Sequence, residues 1–188
     1  MDWVGIWIAV VVPVAAALWM LALYNRLVRA RNAVRESWAG VDTELKRRYD
    51  LIPNLVEVVK GYAAHERSAL ERVLAARTAA MRPHAGARSA ADDENALVGS
   101  LRGMIAVAEQ YPNLKADRNF LELQRELSNT EDRIQRARRF YNANVRDLNT
   151  CVEVFPTNVA AGLFGFSTAE YFEVEDASVR QAPSVSLS

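Results

Sequence analysis

The sequence predicts an all-α protein: an N-terminal transmembrane helix, then an antiparallel helical bundle whose long first helix is kinked at Pro53. Three observations point there. The run from Trp3 to Tyr24 carries no ionisable side chain before its terminal tyrosine. Past it, apolar residues recur at steps of three and four along a charged chain. No segment alternates with strand period, and no repeat of solenoid length is visible. The expected organisation is an anchor over residues 1–24, a bundle over 25–172 and a disordered acidic and Ser-rich tail over 173–188.

The anchor is the clearest element. Its sequence is WVGIWIAVVVPVAAALWMLALY, and about 20 such residues at 1.5 Å each cross a hydrocarbon core of roughly 30 Å. Trp3, Trp19 and Tyr24 stand toward the ends, where amphipathic rings favour the interface. Pro13 is tolerated in such a helix. A cleaved signal peptide is the rival reading, but it requires a basic leading stretch and a shorter apolar core. Here Asp2 leads and the apolar run is too long. Arg26, Arg29, Arg31 and Arg35 follow directly, so positive-inside logic puts the N-terminus outside and the domain in the cytoplasm. Gly5 and Ala9 form a small-residue pair of the kind that permits close helix packing.

The first helix of the soluble part is expected to run on from the anchor. Leu27, Val34, Trp38, Val41, Leu45, Tyr49, Ile52, Val56, Val59, Ala63, Leu70 and Leu74 keep helical spacing as far as Met81. Pro53 removes a hydrogen bond to the Tyr49 carbonyl, which predicts a kink, with Asp50 and Asn54 placed to help satisfy the freed group. Residues 82–94 read as a connecting loop. Asp92 or Asp93 then caps a second helix through Leu97, Leu101, Met104 and Ala108, ended by Pro112. Asp117 caps a third, carrying Phe120, Leu123, Leu127, Ile134, Tyr141, Val145, Leu148 and Phe155, ended by Pro156. Residues 159–172 read as a short helix or turn-rich cover.

Composition excludes several functions. Lys and Arg number 23 and Asp and Glu 23, so nothing draws the chain to nucleic acid. One cysteine, Cys151, makes no disulfide framework, and two histidines leave little for a metal centre. His65-Glu66 lacks the second histidine of a zincin, since Ala69 stands in its place. No phosphate loop, dinucleotide fingerprint or nucleophile elbow appears. No catalytic residue, metal ligand or cofactor is therefore expected.

The segments YNRLVRARNAVRESWAGVDTELKRRYDLIPNLVEVVKGYAAHE (24–66), AEQYPNLKADRNFLELQRELSNTEDRIQRARRFYNANVRDLN (108–149) and VFPTNVAAGLFGF (154–166) resemble the LemA family of bacterial membrane-anchored proteins. RRYDLIPNLV and YPNLKA are its most specific parts, and residues 83–96 correspond least. The resemblance implies a single-pass inner-membrane protein with a cytoplasmic helical bundle and no assigned reaction. It also implies an association with membrane zinc metalloproteases and TPM-domain proteins.

Two groups are the candidate contact residues. Arg48, Tyr49, Asp50, Pro53 and Asn54 could form a hinge and polar docking spot; the alternative is a structural role, with Arg48 paired to a carboxylate on a neighbouring helix. Phe164 and Phe166, beside glycines, would form an apolar patch for a partner or for self-association if exposed, whereas Tyr111, Phe140, Tyr141 and Phe155 read as core. Arg133, Arg136, Arg138, Arg139 and Arg146 read as a solvated face. The expected function is a non-enzymatic scaffold or adaptor at the lipid bilayer that forms homo-oligomers. The alternative is a small-ligand or signalling module that opens at the kink.

Overall fold

The computed structural model describes residues 2–173, and for residues 2, 4–6 and 9 the backbone alone. Past Glu173 the expected tail lies outside the described residues, and so do the side chains of Gly5 and Ala9. Among the described residues every regular element is a helix, in the order α1 (Asp2–Tyr62), α2 (Arg67–Ala80), α3 (Ala87–Ala108), α4 (Pro112–Lys115), α5 (Arg118–Glu153) and α6 (Thr157–Phe164).

Helix α1 runs through Pro13 and Pro53 without a break in helical structure. Its buried side chains follow the expected stripe from Leu27 through Val34, Val41, Leu45 and Ile52 to Val59. The helix ends sooner than its spacing predicts. The chain turns at residues 63–66 after Gly61 and Tyr62, and α2 starts at Arg67. The Glu66 N–H donates to the Ala63 carbonyl at 3.0 Å, closing that turn. The apolar residues Ala63, Ala69 and Leu70 are buried on both sides of the turn, so spacing alone continues across it. Leu74, expected inside, is exposed.

Helix α3 also begins earlier than expected. Gly86 is its N-cap, and the Ser89 hydroxyl lies 3.4 Å from the Gly86 N–H and donates to the Gly86 carbonyl at 3.0 Å. Asp92 and Asp93 therefore sit inside the helix rather than capping it. The reason is that Ala87, Ala90 and Ala91 are buried: three small residues that look like loop composition lie on the inward side of α3, a helix that packs on α2. Pro112 opens the short α4 instead of closing α3. Asp117 caps α5 as expected, its Oδ1 accepting the Phe120 N–H at 3.0 Å. At the end of α6, Gly165 takes the left-handed conformation (φ 69°) and the Phe166 N–H reaches back to the Ala161 carbonyl at 2.9 Å.

The chain divides into two compact units, and α1 and α5 contribute to both. The first comprises Met1–Thr43 and Ile134–Glu170. Its core gathers Leu23, Leu27, Cys151, Ala160 and Ala161, with Met20, Val152 and Phe166 packed against them. The Trp38 and Tyr141 rings meet edge-to-face there, centroids 5.1 Å apart. The second comprises Glu44–Arg133 and, of the described residues that follow the first unit, 171–173. Ile52, Leu55, Val73, Leu97, Met104, Leu114 and Phe172 are fully buried in it.

Candidate functional site

The second unit holds a charge cluster at its centre. Arg48 lies on the buried stripe of α1, three residues after Leu45 and four before Ile52, and is 2% exposed. A guanidinium removed from water needs partners in its donor plane. Nη2 pairs with Oε2 of Glu94, which is itself fully buried on α3. Nη1 donates to Oε2 of Glu131 on α5 at 2.7 Å. Burial lowers the Arg48 pKa from its usual value, opposed by the charge of Glu131. The remaining donor, Nε, has no partner, and neither has the hydroxyl of Thr130, which is 0% exposed.

Tyr49 joins the same cluster from the next position. Its hydroxyl donates to Oε1 of Glu94, and the Ala80 carbonyl at the end of α2 lies 3.2 Å away as a second acceptor. Two adjacent side chains of α1 thus converge on one carboxylate of α3. This is the arrangement expected of a structural Arg48 paired to a neighbouring helix. The guanidinium holds two carboxylates and is closed to solvent, which leaves it no open face for an added anion.

The Tyr49 carbonyl, which Pro53 leaves without its helical donor, is satisfied from another helix. Arg77 of α2 donates to it through Nε at 2.7 Å. The expected helpers do not supply that bond: Asp50 and Asn54 are exposed, and Pro53 between them is half-buried. Arg48 and Tyr49 are therefore brought together, while Asp50 and Asn54 are left at the surface.

Phe164 and Phe166 belong to the first unit. Phe164 is half-exposed and its ring meets Tyr24 edge-to-face at 4.8 Å. Phe166 is half-buried, 5.9 Å from the same ring, with the Arg31 guanidinium 4.9 Å from its centroid. Of the aromatics expected inside, Tyr141 is buried but Phe140 and Phe155 are exposed. The first unit also carries the uncharged stretch of α1, where Trp7, Ile8, Val10, Val11, Val12, Val14, Leu18, Trp19 and Leu21 are all exposed. A segment of α1 is long and apolar enough to cross a membrane. Among the described residues, no group of three or more His, Cys, Asp or Glu side chains could hold a metal ion.

Glu94, Glu131 and Arg77 were missed in the sequence. The signal for Glu94 was present: it falls in phase with Ala90, Ala91, Leu97 and Leu101, a carboxylate inside an apolar stripe. Arg48 is the matching cation inside the stripe of α1.

The described residues thus form an all-helical protein with a long apolar helix and an internal charge clamp. The chain belongs to the LemA family, whose model matches residues 37–187. It is similar to the magnetosome proteins MamQ 2 and MamQ 1 of Paramagnetospirillum magneticum, each 26% identical over 195 residues, spanning 90% of this chain and 72% of the relative. It is also similar to protein LemA of Metamycoplasma hominis, 26% identical over 165 residues, spanning 83% of this chain and 75% of that protein.

Proposed function

We propose that this protein is a non-enzymatic scaffold or adaptor, held in the bacterial inner membrane by the N-terminal part of α1 and presenting a helical bundle to the cytoplasm. The observation that carries the reading is the uncovered apolar stretch of α1. Nine large apolar side chains between Trp7 and Leu21 are exposed, an arrangement that water disfavours and lipid accepts. Arg26, Arg29, Arg31 and Arg35 after that stretch favour an external N-terminus and a cytoplasmic domain.

The rest of the molecule suits holding better than reacting. The charges at the centre of the second unit face one another instead of a cleft, and the LemA family and the MamQ and LemA relatives are not named for a reaction. Within this reading the helices form an antiparallel bundle and Pro53 bends α1, with Arg77 holding the opened carbonyl in place. Asp50 and Asn54, exposed beside the proline, are the polar groups a partner would meet. The protein assembles with itself and with other envelope proteins, membrane zinc metalloproteases and TPM-domain proteins among them, in envelope maintenance or membrane protein quality control.

Crosslinking in native membranes followed by affinity capture tests this. The expected result is a ladder of self-crosslinked species together with a reproducible set of envelope proteins. A strictly monomeric protein that brings down nothing reproducible would defeat the scaffold reading.

A further inference from the structure

We propose that α6 and the turn before it form a second lipid-contacting face, with Val154, Phe155, Val159, Leu163 and Phe164 seated at the headgroup–acyl boundary beside the point where α1 leaves the bilayer. This rests on the reading that α1 crosses the membrane.

Chemistry selects the segment first. Residues 154–166, VFPTNVAAGLFGF, contain no charged side chain. Five large apolar residues within it are at least 46% exposed: Val154 at 54%, Phe155 at 74%, Val159 at 54%, Leu163 at 69% and Phe164 at 46%. Val159 and Leu163 stand four residues apart, which stacks them along one side of α6, while Phe155 lies in the turn just before the helix. The other side is occupied: Thr157, Ala160 and Ala161 are buried.

Depth comes from what that other side touches. Ala160 and Ala161 share a core with Leu23 and Leu27, with Met20 packed against it, and the Phe164 ring lies on Tyr24. From Met20 to Leu27 the axis of α1 rises only about 10 Å. That interval brackets the end of the uncharged run and contains Arg26, its first cation. Helix α6 is thereby clamped at the level where hydrocarbon gives way to headgroups. At that depth Cys151 and Val152 of α5 share the core with α1 and α6, so the exposed apolar side of α6 is the part of this level left for acyl chains. Interfacial helices bury such a side roughly 5–10 Å into the boundary. Arg26 and Arg29, which line a cavity of about 480 Å³ with Asn144, Asp147, Thr150 and Cys151, put cations beside it, suited to anionic headgroups.

The test is site-directed spin labelling of the full chain in phosphatidylethanolamine–phosphatidylglycerol vesicles. Labels are placed through Phe155→Cys, Val159→Cys and Leu163→Cys in a Cys151→Ala background, with Cys151→Ser as a second background should the first fold poorly. Val12→Cys serves as the lipid reference and Glu57→Cys as the aqueous one. Power saturation then compares relaxation by oxygen with relaxation by a nickel chelate. The expected result is severalfold stronger relaxation by oxygen than by nickel for Val159→Cys and Leu163→Cys, at a depth shallower than Val12→Cys. Nickel-dominated relaxation like that of Glu57→Cys, while Val12→Cys reads lipid, overturns the lipid face and leaves the anchor intact. Labels shielded from both relaxants and broadened by a second label overturn it in favour of a self-association surface. An aqueous Val12→Cys overturns the anchor itself, and the lipid face with it.

Discussion

Arg48 is where a single atom group has the largest leverage. Its guanidinium is held between a fully buried carboxylate and a partly exposed one, so the two bonds are unequal. Removing Arg48 strands Glu94 as an unpaired buried charge, and breaking a buried pair in that way costs roughly 3–5 kcal/mol. Arg48→Met should therefore lower the melting temperature of the detergent-solubilised protein steeply. Glu131→Gln, whose side chain is 38% exposed, should cost about 1 kcal/mol or less because water screens that bond. Equal losses for the two variants would show that the cluster is not organised around Glu94. The pairing of Arg48 with a neighbouring helix was legible, because a cation in phase with Leu45 and Ile52 must find an acid. The acid itself was not, because Glu94 sits in what reads as a loop until its phase with Leu97 is counted. The Tyr49 carbonyl gives a second test at this scale. Arg77→Ala should cost about 1–3 kcal/mol beside Pro53 and clearly less in a Pro53→Ala background, where the restored N–H takes over the carbonyl. A thermal or denaturant double-mutant cycle measures the difference; simple additivity would mean that Arg77 acts through packing alone.

Elements were legible where one side chain fixes an end. Asp117 starts α5 because its carboxylate accepts the Phe120 N–H, and the Tyr62 hydroxyl binds its other oxygen at 3.0 Å. The bond from Phe120, then that from Tyr62, holds the Asp117 pKa below its ordinary value, while the Asp117 carboxylate raises that of the Tyr62 phenol. The signs differ. The contribution of Asp117 is fully present above the unfolded-state value of about 3.9 and is lost as pH falls through the lower folded value. That of Tyr62 is complete below about 10 and is lost as pH rises through the higher folded value. Asp117→Ala should thus lower the melting temperature at pH 7, and its curve should converge with wild type as pH falls through the lowered folded value of Asp117. Tyr62→Phe should remove part of the alkaline loss above about pH 10. Parallel melting profiles across the whole range would show that neither group is coupled to folding. The break between α1 and α2 was illegible for the opposite reason. Buried residues keep helical phase across it, and the turn is closed by backbone bonds that no side chain announces.

At the scale of the whole molecule the helical class and the apolar leading segment were fully legible, since both rest on composition and period. A charge inside that segment should be costly. Val12→Arg is expected to disfavour insertion by roughly 2.5–3.5 kcal/mol near a span's centre, lowering the fraction that resists alkaline extraction of membranes. Unchanged retention would mean that the segment is not what holds the protein there. The surface of the first unit was less legible, because Phe140 and Phe155 are aromatic yet exposed. Sequence phase assigns them to the inside only if nothing apolar waits outside.

The clamp has one practical consequence. Arg48 reaches acids 46 and 83 positions further along the chain, so alignment of the three segments does not depend on how long the intervening connectors are. The turn at residues 82–85, between α2 and α3, is therefore the place to splice in an epitope or a fluorescent reporter and still follow the intact protein in living cells.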